Sequence, residues 1–289
     1  MRGGIDIKNR IVIAAVAACF VAGSSSAIIV ANDSVATNPP TGIWDLNWNY
    51  VYKYKNCSAV AVGSHWLLTA AHVADDAGDG TISVNGTNYY QQEIIFHSPA
   101  DDPQHAQADL ALVRFDKDFP GYYPLYTGSF PIRDRKKDYR LNAVMVGYGT
   151  TGTVYSSYYG DSWSGNGTKR WGSQKIDWPA PSNYILPGTT NATYNQGMTI
   201  QFNSGDTPYE AGLGVYDSGG GTFVTNGGVW KLAGINTLRY GGPTTWSGTF
   251  AVSIPDYAAW VTNMMSIGDL YGPITGSVSP APSNDGVAE

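Results

Sequence analysis

The chain has 289 residues, with 17 basic and 23 acidic side chains and a formal net charge of −6 at pH 7. That acidic balance argues against a nucleic-acid-binding role, which needs a basic face. Two cysteines are too few for a disulfide scaffold, so an apolar core has to hold the fold.

Arg2, Lys8 and Arg10 precede an apolar run from Ile11 to Gly23, and Ser25-Ser26-Ala27 supplies small residues for cleavage. The run is too short to span a bilayer, and the pattern predicts an export signal over residues 1–27. Val16-Ala17-Ala18-Cys19 also fits a lipobox, so anchoring through Cys19, or a periplasmic location, stands beside plain secretion. Removing the signal takes the net charge to −8 and leaves Cys57 as the single cysteine.

Short apolar runs between glycine, asparagine and proline then recur along the chain. They include Ala59–Val62, Trp66–Thr69, Glu93–Phe96, Leu110–Phe115, Ala143–Val146, Thr199–Phe202, Gly221–Val224, Val229–Ile235 and Thr249–Val252. Many short strands at such spacing predict an all-β barrel or sandwich. Asp116–Arg140, rich in proline and charge, reads as a connector, which divides the chain into 28–140 and 141–265. Residues 150–192, dense in Gly, Ser, Tyr and Asn, read as long surface loops. One helix opens at Pro255 with Asp256 in its first turn, and 266–289 is expected as a disordered tail with no membrane attachment.

Three motifs carry chemistry: Thr69-Ala70-Ala71-His72-Val73, Ala108-Asp109-Leu110-Ala111-Leu112 and Asp217-Ser218-Gly219-Gly220. They supply His, Asp and Ser in the chain order of chymotrypsin-like enzymes. The stretch from Cys57 to His72, Trp66 within it, Gly147-Tyr148-Gly149 and Trp230–Ile235 extend the likeness. Over Ile28 to Met265 the chain resembles the trypsin-like serine proteases of secreted bacterial type. The resemblance implies two six-stranded antiparallel β-barrels with a short C-terminal helix and a cleft between the barrels. Neither a metal nor a cofactor is implied.

By that resemblance Ser218 is the nucleophile, His72 the general base and Asp109 the group that orients the imidazole. The backbone N–H groups of Tyr216 and Ser218 would form the oxyanion hole, and the Thr237 hydroxyl would support Asp109. His65, His97 and His105 lack such a context and read as structural. The primary pocket would include Gly212 at its base, with Thr237 and Arg239 along it. No aspartate stands at Gly212, so a preference for Arg or Lys is not implied. Glu210 reads as a solvated loop acid or, less simply, as a partner for a basic side chain.

Two residues depart from the family pattern. Val73 stands where animal trypsins have a cysteine, leaving Cys57 without a partner and reading as a small buried hydrophobe. Tyr216 stands where the family has glycine; if φ is positive there, tyrosine costs ~1–2 kcal/mol. Cleavage after Ala27 would expose Ile28-Ile29-Val30, whose ammonium could pair with Asp217. Pairing raises an α-amino pKa, so its contribution would hold below the raised value and be lost as pH rises through it. The alternative is that Ile28–Val30 is only a first strand. The expected activity is hydrolysis of peptide bonds in protein or peptide substrates by a secreted, monomeric enzyme. A catalytically weak or inactive homologue that binds peptides, and an exported esterase, remain open.

Overall fold

The computed structural model describes residues 25–26, 28–30, 33–97, 108–131, 140–155, 158–161, 167–185, 192–203, 205–241 and 247–270. The expected signal up to Ser24, His105, the middle of the connector and the chain beyond Leu270 lie outside the described residues.

Two antiparallel sheets carry the architecture. The first runs in the order Val51–Tyr54, Cys57–Gly63, Trp66–Thr69, Ala111–Phe115, Gln91–Phe96. Its three central strands are apolar almost without interruption because both faces are covered: Ala59 to Val62, Leu67, Leu68 and Ala111 to Val113 are at most 4% exposed. The second sheet has seven strands, in the order Arg170–Lys175, Asn142–Gly147, Gly221–Asn226, Val229–Gly241, Ser247–Ser253, Ala192–Gln201, Trp178–Ile185. The fold is thus all-β. Where the resemblance implied two closed six-stranded barrels, the described strands form sheets of five and seven that do not close on themselves.

The stretch 150–192 differs from its reading as loop. It holds the hairpin Gly152–Val154 with Tyr159–Asp161, the edge strand Arg170–Lys175, and the strand Trp178–Ile185 paired with Ala192–Gln201. Its polar, glycine-rich composition hides strands because pairing completes them: Trp171 lies opposite Val146, and Trp178–Ile185 is joined to the sheet through Ala192–Gln201, whose Met198 lies opposite Ala251.

The terminal helix Ile254–Leu270 buries Ile254, Tyr257, Ala258 and Val261, a single face at helical spacing. It runs past Met265, the end expected from sequence, because Asp269 accepts from Trp66 Nε1 at 2.8 Å and meets His65 Nε2 at 2.8 Å. A Cβ at Gly268 would strike the Trp66 ring, so glycine there lets helix and first sheet approach. His97 lies edge-on to Tyr257 and Trp260 of the same helix. A helix following the second sheet is thereby fastened to the first.

Candidate active site

His72 sits on the single helical turn Ala71–Ala74 that follows the strand Trp66–Thr69. Lys55, at φ +51 in the preceding hairpin turn, donates to the Ala74 and Asp76 carbonyls and so holds the open end of that turn. Asp109, fully buried, precedes the strand Ala111–Phe115. Its carboxylate accepts from the His72 backbone N–H at 3.0 Å and meets His72 Nδ1 at 2.8 Å. A carboxylate only accepts, so the pairing assigns the imidazole proton to Nδ1 and leaves the Nε2 lone pair available.

Asp109 is held from behind as well. Its backbone N–H donates to Asn195 Oδ1 at 2.7 Å, and Asn195 Nδ2 donates to Thr193 Oγ1 at 2.9 Å and to the Ser182 carbonyl at 3.3 Å. Asn195 is fully buried and belongs to the second sheet, so the two sheets meet at this aspartate.

Ser218 lies in the tight segment between Ala211–Gly212 and Gly221–Asn226. Ser58 N–H donates to the Ser218 carbonyl at 3.0 Å, and Gly219 N–H donates to the Asn236 carbonyl at 2.8 Å. Gly219 has φ +80, and a Cβ there would collide with the Ser58 carbonyl and Thr69 Oγ1. Ser58, on the strand beside Trp66–Thr69, thus ties the serine segment to the histidine-bearing sheet. Ser218 Oγ donates to the Thr237 carbonyl at 3.4 Å, and among the described residues it makes no hydrogen bond to His72.

Asp217 is also fully buried. Its carboxylate accepts from Gly149 N–H at 2.8 Å and Gly214 N–H at 2.7 Å, and Ile28 N lies 3.0 and 3.2 Å from its two oxygens. Side chains at Gly147 or Gly149 would overlap this carboxylate, which is the physical reason for the Gly147-Tyr148-Gly149 motif. Tyr216 has φ +73, the left-handed geometry that glycine adopts freely. Among the described residues, neither the Tyr216 nor the Ser218 N–H is spent on an internal acceptor.

Other expected site residues fall differently. The Thr237 hydroxyl donates to the Phe250 carbonyl at 3.3 Å, so it is turned to its own sheet instead of Asp109. Arg239 is exposed and lies over the Tyr159 ring, 5.9 Å from its centroid, and Tyr159 packs against Gly212. Glu210 is neither solvated nor paired with a base. It is 5% exposed and accepts from Asn203 N–H, Thr207 N–H and Thr207 Oγ1 at 2.8–3.1 Å, while burial pushes its pKa up to about 7. Cys57 is buried and unbridged, and burial pushes its thiol up to about 12. Among the described residues no three His, Cys, Asp or Glu side chains are grouped to hold a metal ion.

A family model described as Trypsin matches residues 35–261. The chain belongs to the trypsin family. As a trypsin-family chain it is a member of a group of serine peptidases whose substrates are proteins. No curated protein sequence matches it. Among solved structures it is similar to mouse neuropsin, a serine protease expressed in the limbic system of the brain. That match has 19% identity and a TM-score of 0.46, and it covers 73% of this chain and 89% of the other. Among the described residues no helix is long and apolar enough to cross a membrane.

Sequence reading had no handle on Ser58, Asn195 or Tyr159. Each is an ordinary residue type in an ordinary strand, and each acts on a partner far away in the chain.

Proposed function

We propose that this trypsin-family chain is a secreted serine endopeptidase. In the first step Ser218 Oγ attacks the scissile carbonyl while His72 Nε2 takes its proton. The tetrahedral oxyanion is held by the Tyr216 and Ser218 N–H groups. His72 then gives the proton to the leaving amine, and the C–N bond breaks to leave an acyl-Ser218 ester. His72 then takes a proton from water as the water oxygen attacks that ester, and gives it to Ser218 Oγ as the C–O bond breaks and the carboxylic acid product leaves, to ionise in solvent. Asp109 keeps the imidazole in the required tautomer and stabilises its cationic form.

The observation that carries this reading is the buried Asp109 carboxylate bonded to both the Nδ1 and the backbone N–H of His72. That pairing fixes the imidazole's tautomer and orientation and leaves its partly exposed Nε2 to accept a proton, as base catalysis requires.

The surroundings of Asp217 support a reading of maturation. Cleavage after Ala27 would turn the Ile28 nitrogen into an ammonium already within 3.2 Å of that carboxylate. Ile28 has φ +50 in the continuous chain, a costly geometry for a β-branched residue, and cutting the preceding bond removes the dihedral. Export and activation are then one event.

A non-cleaving, peptide-binding homologue is the second reading, favoured by the Ser218 hydroxyl facing Thr237 O and by the strained Tyr216. One experiment separates the two. A fluorophosphonate should label purified protein at Ser218, and peptide hydrolysis should vanish in Ser218→Ala; absence of labelling sinks the peptidase reading.

A further inference from the structure

The primary pocket that the trypsin-family likeness implies would lie beside Ser218, between three segments. The first leads from Gly212 to the serine itself. The second is the strand end from Thr237 to Gly241, whose first carbonyl receives the Ser218 hydroxyl. The third is Ser247 to Phe250, paired with the second through Gly241↔Ser247, Tyr240↔Gly248 and Arg239↔Thr249. In the peptidase reading, a substrate side chain on the acyl side of the scissile bond would enter between them.

Tyr159 touches all three segments. A Cβ built on Gly212 would overlap the Tyr159 ring, so the ring packs directly against that glycine. Its hydroxyl donates to the Gly248 carbonyl at 3.4 Å, and its backbone N–H and carbonyl both engage Ser247 Oγ, at 3.3 and 3.4 Å. The Arg239 guanidinium covers it from the second segment. Behind it, Ile29 and the edge-on ring of Phe202, 5.4 Å away, complete a small separate core. Tyr159 is only 2% exposed. A ring lining an open pocket would be wetted, so this exposure means that the space is packed, and close-packed surroundings leave it no room to retreat.

We propose that Tyr159 is the specificity-determining residue of the primary pocket: it fills the floor and confines cleavage to bonds following a short side chain such as alanine. This deepens the peptidase reading above and rests on it. A longer side chain can enter only by displacing a ring fastened to two strands and backed by Ile29 and Phe202. Overpacking of that kind, or loss of one well-fitted group, typically shifts selectivity by ~10-fold or more.

The test compares kcat/KM for peptides differing only at the residue before the cut (Ala, Leu, Phe, Glu, Arg), in the natural protein, Tyr159→Phe and Tyr159→Ala. Alanine should lead in the first two by tenfold or more over phenylalanine. Tyr159→Ala should raise the phenylalanine peptide at least tenfold relative to alanine. A natural preference for Phe, Leu, Glu or Arg, or an unchanged ranking in Tyr159→Ala, overturns the proposal. If Tyr159→Ala does not fold, the ranking in the natural protein and in Tyr159→Phe still decides it. Fluorophosphonate labelling is run alongside. Labelling with the wrong ranking refutes the pocket assignment alone, whereas no labelling refutes the peptidase reading. In the latter case, binding of acetylated peptides ending in Ala or Phe to Ser218→Ala, followed by tryptophan fluorescence, reads the pocket without catalysis. Tighter binding of the Phe-ending peptide there also overturns the proposal.

Discussion

Replacing Tyr216 by glycine and by alanine separates a backbone requirement from a side-chain one. Tyr216 stands at φ +73, where an L side chain is disfavoured by ~1–2 kcal/mol. Both substitutions remove the same half-buried ring from the main core, so that loss cancels between them. At a position with ordinary dihedrals, alanine is the more stable of the two by ~0.4–1 kcal/mol, because glycine has more freedom to lose on folding. Here relief of strain acts the other way, and Tyr216→Gly should exceed Tyr216→Ala by about 0.5–1 kcal/mol. For a protein of this size that difference is roughly 1–4 °C in Tm, within reach of calorimetry. Turnover carries the same signature. Glycine keeps the left-handed backbone that aims the Tyr216 N–H, whereas alanine gains by relaxing out of it, and a lost oxyanion donor costs ~10²–10³ in kcat. An alanine variant as stable and as active as the glycine variant would falsify both the strain and the proposed donor role.

Three further outcomes follow from buried polar groups. If cleavage after Ala27 frees the Ile28 ammonium, as proposed, Asp217→Asn leaves it buried without its charge partner and should lose ~3–5 kcal/mol of stability and most activity; near-normal urea denaturation would contradict the pairing. Asn195→Ala leaves the Asp109 N–H without its 2.7 Å acceptor, costing ~1–3 kcal/mol. Because Asp109 acts through His72, kcat should fall while KM holds, and a change confined to KM would place Asn195 in substrate binding instead. Glu210, with a folded pKa raised from 4.5 to about 7, gives a pH signature. Below about 4.5 the group is neutral in both folded and unfolded chains and its environment is fully tolerated. As pH rises towards 7, the unfolded chain ionises first, and stability on the order of 3 kcal/mol is lost. Glu210→Gln should remove that slope, so a stability difference from the natural protein that stays flat between pH 4.5 and 7.5 would show that Glu210 is not so perturbed.

The parts of this protein legible in sequence are those whose chemistry is written in a contiguous string. Thr69–Val73, Ala108–Leu112 and Asp217–Gly220 carry residue types and spacings that mark the triad candidates, and alternating or continuous apolar runs mark most core strands. The valine at position 73 likewise announced an unpaired Cys57. The terminal helix was readable from Pro255 and Asp256, although not its true end, which a contact from Asp269 to Trp66 decides.

Tertiary structure alone decided the rest, because the deciding contacts span long distances in the chain. Nothing near Asn195 foretells an acceptor for an N–H 86 residues away, and nothing near Tyr159 foretells Ser247, 88 residues on. The strands from 150 to 192 are stabilised by partners and not by propensity, so their composition reads as loop. Glu210 reads as a surface acid until burial shows otherwise. Local sequence determined which groups can react. Packing between remote segments decided how those groups are held: Asn195 behind Asp109, and Ser58 against the Ser218 segment.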